Sequence, residues 1–166
     1  MILKKDLLGK SHKRVAFDCG ILSLNNYIKY QASQDVKRKL SVCYVLVDTN
    51  DVIKAYYTLS SSSIPIKEIP EAFSRRLPKS YKNLPVILLG RLAVDQSIAG
   101  KGYGAYLLMD ALKMSYNVSA SKIGAIAVVV DPLSDRAVLF YEKYGFIRLP
   151  DSGKMFLPMK TIAKLF

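Results

Sequence analysis

One short segment combines glycines with a lysine in an arrangement suited to binding an anion. It covers residues 100–104 (GKGYG) and lies between a strand-like and a helix-like segment. Glycines let the backbone approach a ligand closely, and successive N–H groups at a helix start attract phosphate. Lys101 adds a positive charge. The segment therefore predicts a site for a phosphorylated ligand, with a turn that binds nothing as the alternative.

Two common nucleotide sites fit this segment poorly. A P-loop is excluded because Gly102 follows the lysine where serine or threonine is required. Gly100, Gly102 and Ala105 match the dinucleotide pattern G-x-G-x-x-A. That interpretation is disfavoured because residues 95–99 separate the strand from Gly100, and about 60 residues after the loop are too few for a second nucleotide-binding half.

Composition excludes several other chemistries. The 166 residues suffice for one domain with a core, and 51% hydrophobic residues exclude intrinsic disorder. A single histidine, His12, and two cysteines cannot supply the usual zinc ligands, so we expect no metal. The 25 Lys and Arg against 13 Asp and Glu give a net charge of +12, which favours nucleic acids, phosphorylated cofactors and acidic partners.

No apolar run reaches the length of a signal sequence or of a membrane helix, which needs about 18 residues. We therefore expect a cytoplasmic protein with no membrane partner.

Periodicity and turn residues predict the elements around the glycine segment. Helices are predicted over residues 24–36, 105–120 and 135–143, and strands over 41–48, 52–59, 86–95, 123–130, 146–149 and 155–159. Ser23 and Ser134 are expected N-caps, and Gly145 is the expected left-handed stop. The serines 60–63 are expected to lead into a loop with one or two helical turns. This alternation is typical of an α/β fold with a mixed sheet.

Three segments together resemble the GNAT acyltransferase superfamily, whose members transfer an acyl group from coenzyme A to an amine. They are LLGRLAVD (88–95), AGKGYGA (99–105) and AVLFYEKYGF (137–146). The resemblance implies a mixed central sheet flanked by helices in a single domain, residues 1–166. Gly102 and Gly104 match the glycines of the family's pyrophosphate motif, Q/R-x-x-G-x-G/A, but Ala99 stands where glutamine or arginine is usual. Because this departure removes no backbone donor, we expect weaker rather than absent binding of acetyl-CoA.

The resemblance also implies site residues. The implied cofactor-binding residues are Leu92, Ala93, Val94, Ala99, Gly100, Lys101, Gly102, Tyr103, Gly104, Ala105 and Phe140. A backbone N–H in 92–94 would polarise the thioester carbonyl. Tyr141 matches the family's catalytic tyrosine, whose phenol, with a pKa of about 10, would protonate the leaving thiolate. The alternative for Tyr141 is a core aromatic at helical spacing.

A narrower resemblance, over nearly the whole chain, is to GNAT toxins of bacterial toxin–antitoxin pairs. It is carried by FDCG (17–20), LNNYI (24–28), QASQD (31–35) and AYYTLSSS (55–62). Those toxins acetylate the α-amino group of aminoacyl-tRNA and stop translation. The resemblance implies a ribbon-helix-helix antitoxin as partner and a homodimer.

The segment expected to face the acceptor is poor in bases. Residues 86–94 hold no Asp or Glu, and their ionisable residue is Arg91. A lysine amine, with a pKa of about 10.4, needs a strong base, whereas an α-amino group near 8 is partly neutral already. This favours an α-amino group attached to RNA, although a water chain could replace a side-chain base.

Clustered cations are candidate RNA contacts, with solvated surface charge as the alternative. The candidates are Lys37, Arg38, Lys39, Arg75, Arg76 and Arg91. Two other functions stay open. A GNAT enzyme for a small-molecule or protein amine predicts turnover of a free amine. A nucleic-acid-binding module without catalysis predicts no binding of acetyl-CoA.

Overall fold

The computed structural model describes all 166 residues. The strands are β1 (Lys4–Leu7), β2 (Val42–Val47), β3 (Ile53–Pro65), β4 (Asn83–Val94), β5 (Ala127–Val130), β6 (Ile147–Arg148) and β7 (Met155–Pro158). The α-helices are α1 (Leu22–Asn26), α2 (Ala32–Lys37), α3 (Glu71–Ser74), α4 (Tyr103–Ser121), α5 (Asp135–Lys143) and α6 (Met159–Ala163). A π-helical turn (Tyr27–Gln31) joins α1 to α2, and 3₁₀ turns cover Ile66–Glu68 and Gln96–Ile98. None of the helices combines the length and apolar character that a membrane crossing requires.

The seven strands form one sheet in the order β1-β2-β3-β4-β5-β7-β6. Strands β1, β2 and β3 pair antiparallel, as do β5, β7 and β6. Strands β4 and β5 are neighbours joined through helix α4, which is the kind of crossover that a parallel pair requires. The predicted α/β class with a mixed sheet and flanking helices is confirmed.

Residues 1–60 and 89–111 form a first unit with its own core. Phe17, Ile28 and Tyr56 are fully buried in it. Apolar residues at helical spacing predicted one helix here, but the π-helical turn shifts the register, so that Ala32 is buried and Gln31 is exposed.

Residues 61–88 and 112–166 form a second unit. Its core includes Leu84, Val129, Leu149 and Phe156. All four residues of β5 are buried, as expected for a strand covered on both faces.

Two strand predictions need correction. The serines 60–63 lie within β3, which continues to Pro65, so the strand is longer than predicted. The predicted loop follows it and contains two short helical turns, Ile66–Glu68 and Glu71–Ser74. The predicted strand 123–130 shrinks to β5, and Ile123 is 70% exposed. The N–H groups of Lys122 and Ile123 both donate to the carbonyl of Val118, so these residues close helix α4 instead.

The first helix also begins differently from the prediction. Ser23 is not its N-cap, because α1 begins at Leu22 and the N–H of Asn25 donates to the carbonyl of Ile21. Strand β1 and helix α6 were not predicted at all. Both are only four or five residues long and carry no cap or turn signal of their own.

Candidate active site

The glycine segment 100–104 forms the turn that starts helix α4. Gly100 and Gly102 have φ angles of +74° and +88°, a left-handed conformation that favours glycine. A Cβ at either position would meet no atom within 4 Å, so the backbone conformation alone requires glycine. Tyr103 and Gly104 belong to the first helical turn and not, as predicted, to the loop. N–H groups in a first turn have no acceptor within the helix and are available to an anion.

A cavity of about 400 Å³ opens beside this turn. It is lined by Leu3, Lys5, Leu46, Lys101, Gly102, Tyr103 and Tyr106. Lys5 is paired with Asp110 at 2.9 Å, whereas Lys101 is exposed and forms no ion pair. The free charge of Lys101 and the first-turn N–H groups together fit a phosphate group. Ala99 is exposed and adds no polar group to this set, and Ala105 is half-buried.

Asp95 ties the end of β4 to the N-terminal part of the chain. One carboxylate oxygen accepts from the N–H of Asp18 (2.9 Å) and the other from the N–H of Ser97 (2.8 Å). Burial opposes the charge, but these hydrogen bonds hold the pKa of Asp95 below its usual range. Both oxygens are engaged, so this side chain is not a free base. This role of Asp95 could not be predicted from the sequence, because the partner Asp18 is distant in the chain.

The last residues of β4 alternate between two faces. Ala93 packs in the core of the first unit, while Leu92 and Val94 are half-buried. Arg91 shares the face of Ala93, and its guanidinium carbon lies 3.5 Å from the centre of the Tyr27 ring. Arg91 forms no ion pair or hydrogen bond within the protein.

Tyr141 lies on α5 in the second unit and is 8% exposed. Its ring packs edge-on against Phe140 and Phe146, each 5.2 Å away between ring centres. Burial raises the pKa of Tyr141 to about 12. The hydroxyl donates to no protein group, and its oxygen is not sealed from solvent. The phenol therefore keeps its proton at neutral pH and has it available for a ligand.

Both ends of α5 are closed by local interactions. The Ser134 hydroxyl accepts from the N–H of Ala137 (3.1 Å), which confirms the predicted N-cap. At the other end, the N–H of Phe146 donates to the carbonyl of Tyr141 (3.2 Å).

The glycine of this helix end completes a Schellman motif. The N–H of Gly145 donates to the carbonyl of Glu142 (3.0 Å), and Gly145 has a φ of +92°. The predicted stop is confirmed. The contact between the Tyr141 and Phe146 rings is the hydrophobic contact that accompanies such motifs. The F-Y-x-x-x-G-F spacing thus has a structural reason, since it fixes the tyrosine in the last turn.

The predicted cationic clusters are exposed. Lys37 is the last residue of α2 in the first unit, and Arg38 and Lys39 follow it. Arg75 and Arg76 follow α3 in the second unit. Lys39 has a φ of +63°, which is uncommon for a residue with a side chain. The N–H of Lys39 donates to the carbonyl of Val36 (3.1 Å), and the N–H of Leu40 donates to the carbonyl of Asp35 (2.9 Å). Lys39 therefore occupies the position after a helix that glycine usually holds.

The remaining chemistry-bearing residues have structural roles. His12 is buried, and its Nδ1 accepts from the N–H of Gly9 (2.9 Å). Cys43 is buried and Cys19 half-buried, both as free thiols. No group of three or more His, Cys, Asp or Glu side chains converges on a common point.

The chain matches the acetyltransferase (GNAT) family over residues 25–146. It is 34% identical over 163 residues to the probable toxin TacT of Sinorhizobium fredii, covering 93% of this chain and 89% of that protein. It is also 34% identical over 151 residues to a tRNA-acetylating toxin of Mycobacterium tuberculosis, covering 90% of this chain and 88% of that protein.

Solved structures of the toxin AtaT share the fold. AtaT complexed with acetyl-methionyl-tRNAfMet has a TM-score of 0.91 at 30% identity, over 99% of both chains. A tyrosine-to-phenylalanine mutant of AtaT, bound to the C-terminus of the antitoxin AtaR and to acetyl-CoA, has a TM-score of 0.83 at 28% identity, over 100% of this chain and 99% of that one. The mixed sheet and its glycine turn are therefore the GNAT fold, and this chain belongs to the GNAT acetyltransferase family.

Proposed function

We propose that this chain is a toxin that transfers the acetyl group of acetyl-CoA to the α-amino group of aminoacyl-tRNA and so blocks translation. The observation that carries the proposal is a β4 segment without any free base, in a GNAT fold whose relatives include a tRNA-acetylating toxin.

The glycine turn has the features needed to hold the pyrophosphate of acetyl-CoA. Gly100 and Gly102 have no side chain that would block a ligand, and the first-turn N–H groups of α4 would donate to its phosphates. Lys101 supplies a positive charge that no protein group neutralises. The backbone of Leu92, Ala93 and Val94 would hold the acetyl and pantetheine groups, and Phe140 would contribute apolar surface. Acetyl-CoA, when bound, supplies the acetyl thioester.

The acceptor amine must lose its proton without help from a side-chain base. Residues 86–94 hold no carboxylate, and both oxygens of Asp95 accept backbone hydrogen bonds. An α-amino group, with a pKa of about 8, is partly neutral at physiological pH, whereas a lysine amine near 10.4 is almost fully charged. The site therefore favours an aminoacyl group over a lysine side chain.

Tyr141 is the proposed general acid. Burial keeps its phenol protonated, and its hydroxyl has no competing protein partner. As the neutral amine attacks, the C–N bond forms, the C–S bond breaks and the phenol gives its proton to the leaving sulfur. The proton that the nitrogen then loses goes to solvent, from which the phenolate regains its own. The alternative role, a purely structural core aromatic, predicts that Tyr141→Phe leaves turnover intact.

The exposed cations bind the RNA backbone in this proposal. Lys37, Arg38 and Lys39 contribute from one unit, and Arg75 and Arg76 from the other. Such phosphate contacts give an affinity that falls steeply with salt and depends little on sequence.

The proposed partner is a ribbon-helix-helix antitoxin with an acidic segment, attracted by the net charge of +12. We further propose that the 166 residues act as one domain in a homodimer within the bacterial cytoplasm, where charged tRNA is found. A light-scattering mass of twice 18.5 kDa tests the dimer.

The experiment measures acetyl transfer from labelled acetyl-CoA to a pool of aminoacylated tRNA, with deacylated tRNA as control. Tyr141→Phe should lower turnover at least about a hundredfold, in the range expected for a lost general acid. Tyr144→Phe is the matched control, because Tyr144 is a half-buried tyrosine just beyond the same helix. It should retain full activity.

Three other outcomes would overturn the proposal. Label on free amines or protein N-termini, with none on charged tRNA, would assign the enzyme a small-molecule or protein acceptor. Failure to bind acetyl-CoA in calorimetry would leave a nucleic-acid-binding module. Equal activity of the two tyrosine variants would remove Tyr141 from the chemistry.

A further inference from the structure

The aromatic ring of Tyr27 carries a cation on its face. The guanidinium carbon of Arg91 lies 3.5 Å from the ring centre, which is close for a cation–π contact. Tyr27 itself is 3% exposed and stacks on Tyr56, with ring centres 6.2 Å apart and an interplanar angle of 20°. The Tyr27 hydroxyl donates to the carboxylate of Asp35 (2.9 Å). These contacts fix the ring and, through it, the guanidinium.

The π-helical turn Tyr27–Gln31 brings this ring to β4. Within it, Tyr27 and the next residue, Ile28, are both buried, so two adjacent side chains enter the core. π-Helical turns are rare inside helices and frequently occur at functional sites.

The guanidinium of Arg91 is held but not neutralised. Lys5 forms an ion pair with Asp110, Nε2 of His12 lies 3.3 Å from a carboxylate oxygen of Asp6, and neither contact includes Arg91. A guanidinium that stacks on a ring keeps its N–H edge free and matches a phosphate with two parallel hydrogen bonds. Arg91 also lies one residue before the segment 92–94 proposed to hold the acetyl group.

We propose that Tyr27 is a positioning residue, which holds the Arg91 guanidinium flat and presents its N–H edge to a phosphate of the aminoacyl-tRNA. This inference rests on the proposed function. Arg91 binds the acceptor, and Tyr27 acts only through Arg91.

The test is a double-mutant cycle with Tyr27→Leu, Arg91→Ala and the double variant, measured as kcat and KM for charged tRNA. Tyr27→Leu should raise KM about fivefold, the range expected for a lost cation–π contact, and leave kcat within about twofold. The double variant should have the KM of Arg91→Ala alone. Tyr27→Phe, which keeps the ring, should stay within about twofold of the wild type. The acetyl-CoA affinity of every variant should be unchanged.

Independent, multiplying effects on KM in the double variant would overturn the inference, because Tyr27 would then act without Arg91. If Tyr27→Leu does not fold, the KM of Arg91→Lys for charged tRNA tests the inference instead, because lysine keeps the charge and lacks the planar face. A raised KM in Arg91→Lys supports the stack, and an unchanged KM overturns it. A wild type that does not acetylate charged tRNA at all would refute the proposed function and this inference with it.

Discussion

Replacing Gly145 with alanine should loosen the end of α5 and displace Tyr141. Gly145 has a φ of +92°, where a side chain costs about 1–2 kcal/mol. The added Cβ would lie 3.6 Å from Cδ1 of Leu157, an ordinary contact, so the cost comes from the backbone alone. Alanine recovers about 0.4–1 kcal/mol through the smaller entropy of the unfolded chain. The free energy of unfolding should therefore fall by about 1 kcal/mol, which lowers Tm by about 2–4 °C.

Gly153→Ala is the matched control for this substitution. Gly153 has a φ of +72°, and a Cβ there would meet no atom within 4 Å. Its stability loss should be similar, yet it lies in the β6–β7 turn and not at the end of α5. Thermal unfolding and acetyl transfer to charged tRNA are measured on both variants. We expect kcat to fall about tenfold in Gly145→Ala, because a displaced catalytic group loses rate steeply with distance, and to change less than about twofold in Gly153→Ala.

Two results would refute this reasoning. Equal kcat losses in the two glycine variants would mean that stability, and not the position of Tyr141, limits turnover. An unchanged kcat in Gly145→Ala, with Tm lowered as expected, would show that the Schellman motif does not hold Tyr141, the proposed general acid, in place.

Three further outcomes follow from the site. The kcat should rise as the acceptor amine deprotonates near pH 8. It should then stay level to about pH 10, because burial raises the pKa of Tyr141 to about 12. A decline of kcat near pH 9 would contradict this. Asp95→Asn should lower the free energy of unfolding by about 2 kcal/mol at pH 7 in urea titrations. Since the pKa of Asp95 is lowered by folding, its contribution is present above about pH 4 and should fade as the pH falls further. Lys39→Gly should raise the free energy of unfolding by about 0.5 kcal/mol, because glycine adopts the φ of +63° without strain. The same substitution should raise KM for tRNA in low salt. An unchanged KM would show that Lys39 is a solvated surface charge that does not contact the RNA.

Features that depend on a few neighbouring residues could be predicted from the sequence. The extent of α5 was predicted correctly from Ser134 at one end and Gly145 at the other. The turn at residues 100–102 was likewise indicated by its glycines, and both Gly100 and Gly102 have a positive φ. Caps and positive φ angles are decided within one or two turns of chain, so Ser134 and Gly145 could be identified by residue type. Residue type failed at Ser23, which caps no helix, and at Lys39, which has a positive φ without being glycine.

Strand extent was predicted less well, because a strand is stabilised by partners distant in sequence. The serines 60–63 have no strand signal of their own, yet they belong to β3. The apolar residue Ile123 suggested a strand, yet it closes a helix in solvent. Strand β1 is recognisable only by its register with β2, which pairs Lys4 with Val47.

The sequence by itself determined which groups are available for the proposed chemistry: the glycine turn, the phenol of Tyr141, the base-poor segment 86–94 and the positive charge. Only the tertiary structure decided how those groups are held. The carboxylate of Asp95 accepts a hydrogen bond from the N–H of Asp18, which is 77 positions away, and no local sequence pattern encodes that contact. The stack of Arg91 on Tyr27 likewise joins β4 to a π-helical turn that periodicity did not predict. Such contacts depend on the packing of whole elements, so they exist only once the chain has folded.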